Sequence, residues 1–93
     1  MQINIEAISI ALKHHLGDDA QLQIIDESHK HKGHDGYNPE IETSHIAIEI
    51  TWDGFDGLAA LDRHRLVNSW LDNFFKQGLH AARYTLKTPQ KNY

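Results

Sequence analysis

The chain has 93 residues, enough for one domain with a modest core and too few for two. At 40% hydrophobic and 24% charged its composition is that of an ordinary soluble protein; it has neither an apolar run long enough to span a membrane nor a basic-then-apolar leader, so the expected location is the cytoplasm. The net charge of −4 counts against phosphate-driven nucleic-acid binding, which draws on surplus Lys and Arg, and the absence of cysteine removes disulfides and thiolate ligands, leaving His, Asp and Glu as the available metal donors.

Ile5, Ile8, Leu12 and His15/Leu16 recur at helical spacing and Gly17 follows as a stop, which predicts a helix over about residues 3–16. Gly17-Asp18-Asp19 turns the chain, and Gln21 to Ile25 alternates as a short strand ending near Glu27. Residues 28–44 hold Gly33, Gly36, Asn38 and Pro39 among mixed charges and read as a long exposed loop.

His45 to Trp52 is the clearest strand, with Ile46, Ile48 and Ile50 on one face. After the turn Asp53-Gly54-Phe55-Asp56-Gly57, the pattern is helical from Leu58 to about Lys76, with a possible break near Arg63–Arg65. Leu58, Leu61, Leu66, Val67, Trp70, Leu71, Phe74 and Phe75 are its expected buried positions. Leu79 to Leu86 reads as a third strand, and the tail 88–93 as loose. The order α-β-β-α(α)-β predicts a single α+β domain over 1–93, with helices on one face of a small sheet.

Eight histidines in 93 residues stand out, and no polyhistidine tag accounts for them. Three lie in Ser28-His-Lys-His-Lys-Gly-His34. Neutral imidazoles suit iron, zinc, copper or nickel, but this spacing lacks the paired ligands of a compact structural zinc site, and polar loops tolerate histidine without any ligand. His80 stands two residues after Gly78 at the start of the third strand, where a half-buried structural histidine is the plainer reading. Arg63-His64-Arg65 offers three basic groups in the helical region, for phosphate or for a solvated face. Gly54-Phe55-Asp56-Gly57 matches the G-x-x-G loop of KH modules, yet it precedes the helices instead of joining them and carries an aspartate that repels phosphate, with Asp53 beside it. No nucleophile elbow, H-E-x-x-H or glycine-rich phosphate loop is present, so nothing nominates a reaction and the chain reads as a non-enzyme.

Taken in order, Asp26-Glu-Ser-His-Lys-His31, Glu42-Thr-Ser-His45, Phe55-Asp-Gly-Leu58, Arg63-His-Arg-Leu-Val67, Leu79-His-Ala81 and Lys87-Thr-Pro89 resemble the BolA family over nearly the whole chain. The resemblance implies a BolA-like fold similar to class II KH domains, α-β-β-α-α-β, with a three-stranded sheet and a break between the second and third helices. It also implies a non-enzymatic partner of a monothiol glutaredoxin, forming a heterodimer that shares a [2Fe-2S] cluster in iron–sulfur assembly, trafficking or iron sensing. The glutaredoxin and glutathione would supply thiolates. This chain would supply His80 and, from the loop, His31. The loop is longer than is usual in the family, with Gly33 to Tyr37 resembling inserted material, which makes His34 the alternative to His31. Some family members are described as transcriptional regulators, so a DNA reader built on Arg63, His64 and Arg65 is the second expectation. A stand-alone metal site of loop histidines, holding zinc or nickel, is the third.

Overall fold

The computed structural model describes residues 3–28 and 45–89. The order is α1 (Ile5–Leu16), β1 (Gln21–Asp26), β2 (His45–Thr51), a 3-10 turn (Asp53–Phe55), α2 (Ala60–Trp70), α3 (Asp72–Gln77) and β3 (Ala81–Lys87). This is the expected α+β sequence of elements. The expected loop 28–44 lies outside the described residues apart from Ser28, and so does the tail beyond Pro89.

Local chemistry sets the ends of α1. The Asn4 side chain accepts a hydrogen bond from the Ala7 N–H at 2.8 Å, capping the first turn. At the other end Gly17 adopts φ 77°, where a side chain is strained, and its N–H returns to the Lys13 carbonyl. Between these caps Ile8, Leu12 and Leu16 fall on one stripe and are buried.

The sheet runs β1-β2-β3. β1 pairs antiparallel with β2, in a register that sets Ile24 opposite Ile48. β3 lies parallel to β2, with Ile48 opposite Tyr84, and a parallel neighbour requires a crossover. α2 and α3 form that crossover. Side chains alternate along each strand. Leu22, Ile24, Ile46, Ile48, Ile50, Ala82, Tyr84 and Leu86 belong to the packed face, while Gln21, Gln23, Ile25, Glu49, Arg83, Thr85 and Lys87 lie on the exposed one. The core joins the isoleucines of β2 to Ile3, Ile8, Leu12, Phe55, Val67, Leu71 and Leu79. Each such side chain contributes about 1.5–3 kcal/mol relative to exposure.

Two expectations within the helical segment are corrected. Arg63–Arg65 is not a break: the Arg63 N–H bonds to the Ala59 carbonyl at 3.1 Å and α2 continues through it. The interruption falls at Leu71, where φ −99° and ψ 5° leave the helical region, and its buried side chain fills the core. Leu61, expected inside, is 57% exposed. The inward stripe of α2 is Arg63, Leu66, Val67 and Trp70, and at 100° per residue Leu61 points away from it.

The G-x-x-G segment has a structural reason for its glycines. A Cβ on Gly54 would lie 2.3 Å from ring carbons of Trp52, and Gly57 has φ 81°. The turn between them buries Phe55 completely.

Candidate metal centre

His80 lies just before β3, between two fixed points. The Leu79 N–H donates to the Phe74 carbonyl at 2.9 Å and Leu79 is buried, while Ala81 pairs with His45 of β2. The His80 side chain is exposed, and its ring makes no hydrogen bond to another described residue. Its neighbour is the imidazole of His45, with ring centroids 5.0 Å apart and planes inclined at 50°.

His45 is held firmly. Its carbonyl accepts the Glu27 N–H at 2.8 Å and its N–H donates to Ser28 Oγ at 3.2 Å, while Ser28 N–H donates to Asp26 Oδ1 at 2.9 Å. It is 6% exposed. Ser28 and His45, the described residues that flank positions 29–44, are therefore hydrogen-bonded to each other at the mouth of the sheet, beside His80. His31 and His34, the two expected loop ligands, lie in that segment, outside the described residues, as does His29. His45 closes the motif Glu42-Thr-Ser-His45, and nothing local in the sequence assigns it a role. What places it beside His80 is the register His45↔Ala81, a long-range pairing that local spacing does not encode.

The three basic residues of α2 go to three different places. Arg63 turns inward: Nε donates to the Leu58 carbonyl at 2.9 Å, one terminal nitrogen donates to the Leu86 carbonyl at 3.2 Å, and the guanidinium lies 5.9 Å from the centre of the Phe55 ring. His64 packs edge-on against Tyr84 at 4.7 Å. Arg65 is exposed. The triplet does not present a common cationic face.

On the sheet face opposite the helices a groove of about 440 Å³ is lined by Gln23, Ile25, Ala47, Glu49, Arg83 and Thr85, among others. Its charged groups are engaged in pairs: Arg83 with Glu27 at 2.9 Å and Glu49 with Lys87 at 2.7 Å. Burial raises the Tyr84 hydroxyl's pKa well above its usual value. No helix among the described residues is long and apolar enough to cross a membrane.

An α-β-β-α-α-β domain with a histidine at the entry to its last strand defines a class, and comparison with known proteins gives its family. The family model described as BolA-like protein matches residues 12–91, and the chain belongs to that family. The solved structure of BolA1 from Arabidopsis thaliana superposes with a TM-score of 0.81 at 30% identity, covering 100% of this chain and 99% of that one. The BolA domain of SufE1 from the same plant gives a TM-score of 0.77 at 31% identity, covering 94% and 95%. In sequence, SufE-like protein 1, chloroplastic/mitochondrial, of Arabidopsis thaliana is 35% identical over 75 residues, which are 77% of this chain and 20% of that protein. The chain spans from a fifth to about half of the first curated relatives it matches. Plant relatives carry chloroplast or mitochondrial designations, so the cytoplasm stays an expectation from sequence for this chain.

Proposed function

We propose that this chain is a non-enzymatic partner of a monothiol glutaredoxin and contributes histidine ligands to a [2Fe-2S] cluster shared with that partner and glutathione. His80 is the ligand from the described residues, and the second comes from the 29–44 segment, His31 first and His34 as its alternative. Membership of the BolA-like family supports this reading, as does the relation to a SufE-like plant protein. The observation that carries it is the setting of His80: a fixed backbone, an exposed ring, and ring nitrogens that no hydrogen bond to a described residue engages.

That donor set fits an iron edge. Imidazole replaces thiolate on iron in known cluster types and brings less negative charge, and the missing cysteines are no obstacle when a partner supplies thiolates. The fold's part is to hold His80, Ser28 and His45 at one end of the sheet. Reconstituting a cluster on a monothiol glutaredoxin with and without this protein, and recording visible absorption and circular dichroism, tests the reading. A reading as a DNA reader through α2 has less support, because Arg63 is committed to two backbone carbonyls.

A further inference from the structure

We propose that the outer edge of β1 pairs antiparallel with the same edge of a second copy of this chain, joining two three-stranded sheets into one. The inference is independent of the cluster reading and uses none of its ligands.

The hydrogen bond from the Glu27 N–H to the His45 carbonyl fixes which residues of β1 face β2. Alternation along the antiparallel ladder then turns the backbone polar groups of Gln21, Gln23 and Ile25 toward β2, and those of Leu22 and Ile24 toward the outer edge. Among the described residues none hydrogen-bonds to these outward groups. The edge also lacks the features that discourage strand pairing. Gln21 to Ile25 holds no charge, proline or glycine, and its register with β2 runs without a bulge. The opposite edge of the sheet is guarded. The Trp52 N–H bonds to the Lys87 carbonyl, so the Leu86 carbonyl points outward, and there Arg63 occupies it at 3.2 Å. Arg83 and Lys87 add charge along that strand.

The occupant is a second copy because β1 is complementary to itself. A two-fold axis at Gln23 sets Gln23 against Gln23, Leu22 against Ile24 of the second copy, and Gln21 against Ile25. Leu22 and Ile24 are the residues with outward backbone groups, so each exchanges both hydrogen bonds with the other across the seam. Their side chains share the helix side, where both are half-buried against the core, and the pairing extends that core. An axis at Ile24 would instead set Leu22 against Asp26. On the helix side a hollow of about 360 Å³ borders the edge, lined by Lys13, Leu16, Ala20 and Leu22, among others. Ile24 of the second copy enters beside this hollow, and its Asp26 falls opposite Ala20, on the Lys13 side. An uncharged seam with acid meeting base at its ends avoids repulsion in a chain of net charge −4. Six residues of strand make a small contact beside the ~1,200–2,000 Å² of stable interfaces, so the dimer forms only at high concentration.

The test is sedimentation of the full chain from micromolar to millimolar concentration, with amide hydrogen exchange followed by NMR. A reversible dimer is expected, in which exchange at the Leu22 and Ile24 amides slows at least about tenfold while Gln23 and Ile25 are unchanged. Gln23 is exposed, so Gln23→Lys and Gln23→Glu leave the core intact and set like charges against each other at the axis. Each variant alone is expected to be monomeric, and their equimolar mixture to dimerise, which also shows that both are folded. The chain has no cysteine, so Gln23→Cys supplies a single thiol. Facing residues of a non-hydrogen-bonded pair lie about 4.5 Å apart at Cα, within disulfide reach, so mild oxidation is expected to link this variant to itself. A parent chain that stays monomeric at millimolar concentration would overturn the proposal. So would a Gln23→Lys variant that dimerises like the parent, a mixture that stays monomeric, or slowed exchange along β3 in place of β1.

Discussion

Glu27, just past the end of β1, and Arg83, in β3, meet across the width of the sheet, with Nε–Oε1 and Nη2–Oε2 both at 2.9 Å. The Glu27 side chain is 10% exposed and that of Arg83 74%, so the carboxylate is embedded and the guanidinium reaches down to it over β2. The hydrogen bonds to Glu27, ahead of their mutual attraction, raise the pKa of Arg83 above its ordinary value. This two-pronged bridge closes the sheet at the end where His45 and His80 sit. Glu27→Gln and Arg83→Gln are each expected to lower the melting temperature, and their double-mutant cycle to show a coupling that shrinks with added salt. Additive single effects at low salt would remove the bridge from the account.

Arg63 is a structural residue of α2. Its guanidinium joins the loop before the helix, through Leu58, to the end of β3, through Leu86. Lysine keeps the charge and loses the planar fork, so Arg63→Lys is expected to cost about 1–3 kcal/mol in a denaturant titration. Arg65→Ala, on the exposed side, is expected to change stability by less than about 0.5 kcal/mol.

The two leucines that sequence periodicity grouped together separate in the structure. Leu71 is fully buried and Leu61 is 57% exposed. Leu71→Ala is expected to cost about 2–5 kcal/mol by cavity formation. Leu61→Ser is expected to stay within about 0.5 kcal/mol of the parent in the same titration.

Tyr84 gives the fold an alkaline limit. Its hydroxyl, hydrogen-bonded to Asn68, has a pKa raised by burial, so the folded state keeps a proton that the unfolded chain releases. A raised folded value means stability is full below the unfolded value of about 10 and falls as pH rises beyond it. Thermal melts from neutral pH to about pH 11 are expected to show this decline, and Tyr84→Phe to flatten it. An equally steep decline in that variant would assign it to other groups.

The elements were legible because their signals are local. Ile46, Ile48 and Ile50 alternate, α1 carries a helical stripe with Gly17 behind it, and each appears as expected. Local signals also explain the errors. Leu61 is apolar and close to helical spacing, but which stripe faces inward depends on what α2 packs against. The break at Leu71 has no glycine or proline to announce it. At the candidate centre, the family motif singles out His80, which lies exposed at the entry to β3. The His45–His80 proximity needed the strand register, and the Glu27–Arg83 bridge joins residues 56 apart in sequence. Arg63, His64 and Arg65 look like one basic patch in the chain, and helical geometry sends them apart.

The central claim is that His80 is a ligand to a cluster held jointly with a glutaredoxin. The most direct measurement is the visible circular dichroism of a glutaredoxin-bound [2Fe-2S] cluster, recorded alone, with this protein, and with His80→Ala, His31→Ala and His34→Ala. The expected result is a new spectrum with the parent chain, altered most by His80→Ala and second by one of the two loop variants. A spectrum unchanged by adding the protein, or one formed equally well by His80→Ala, would contradict the claim.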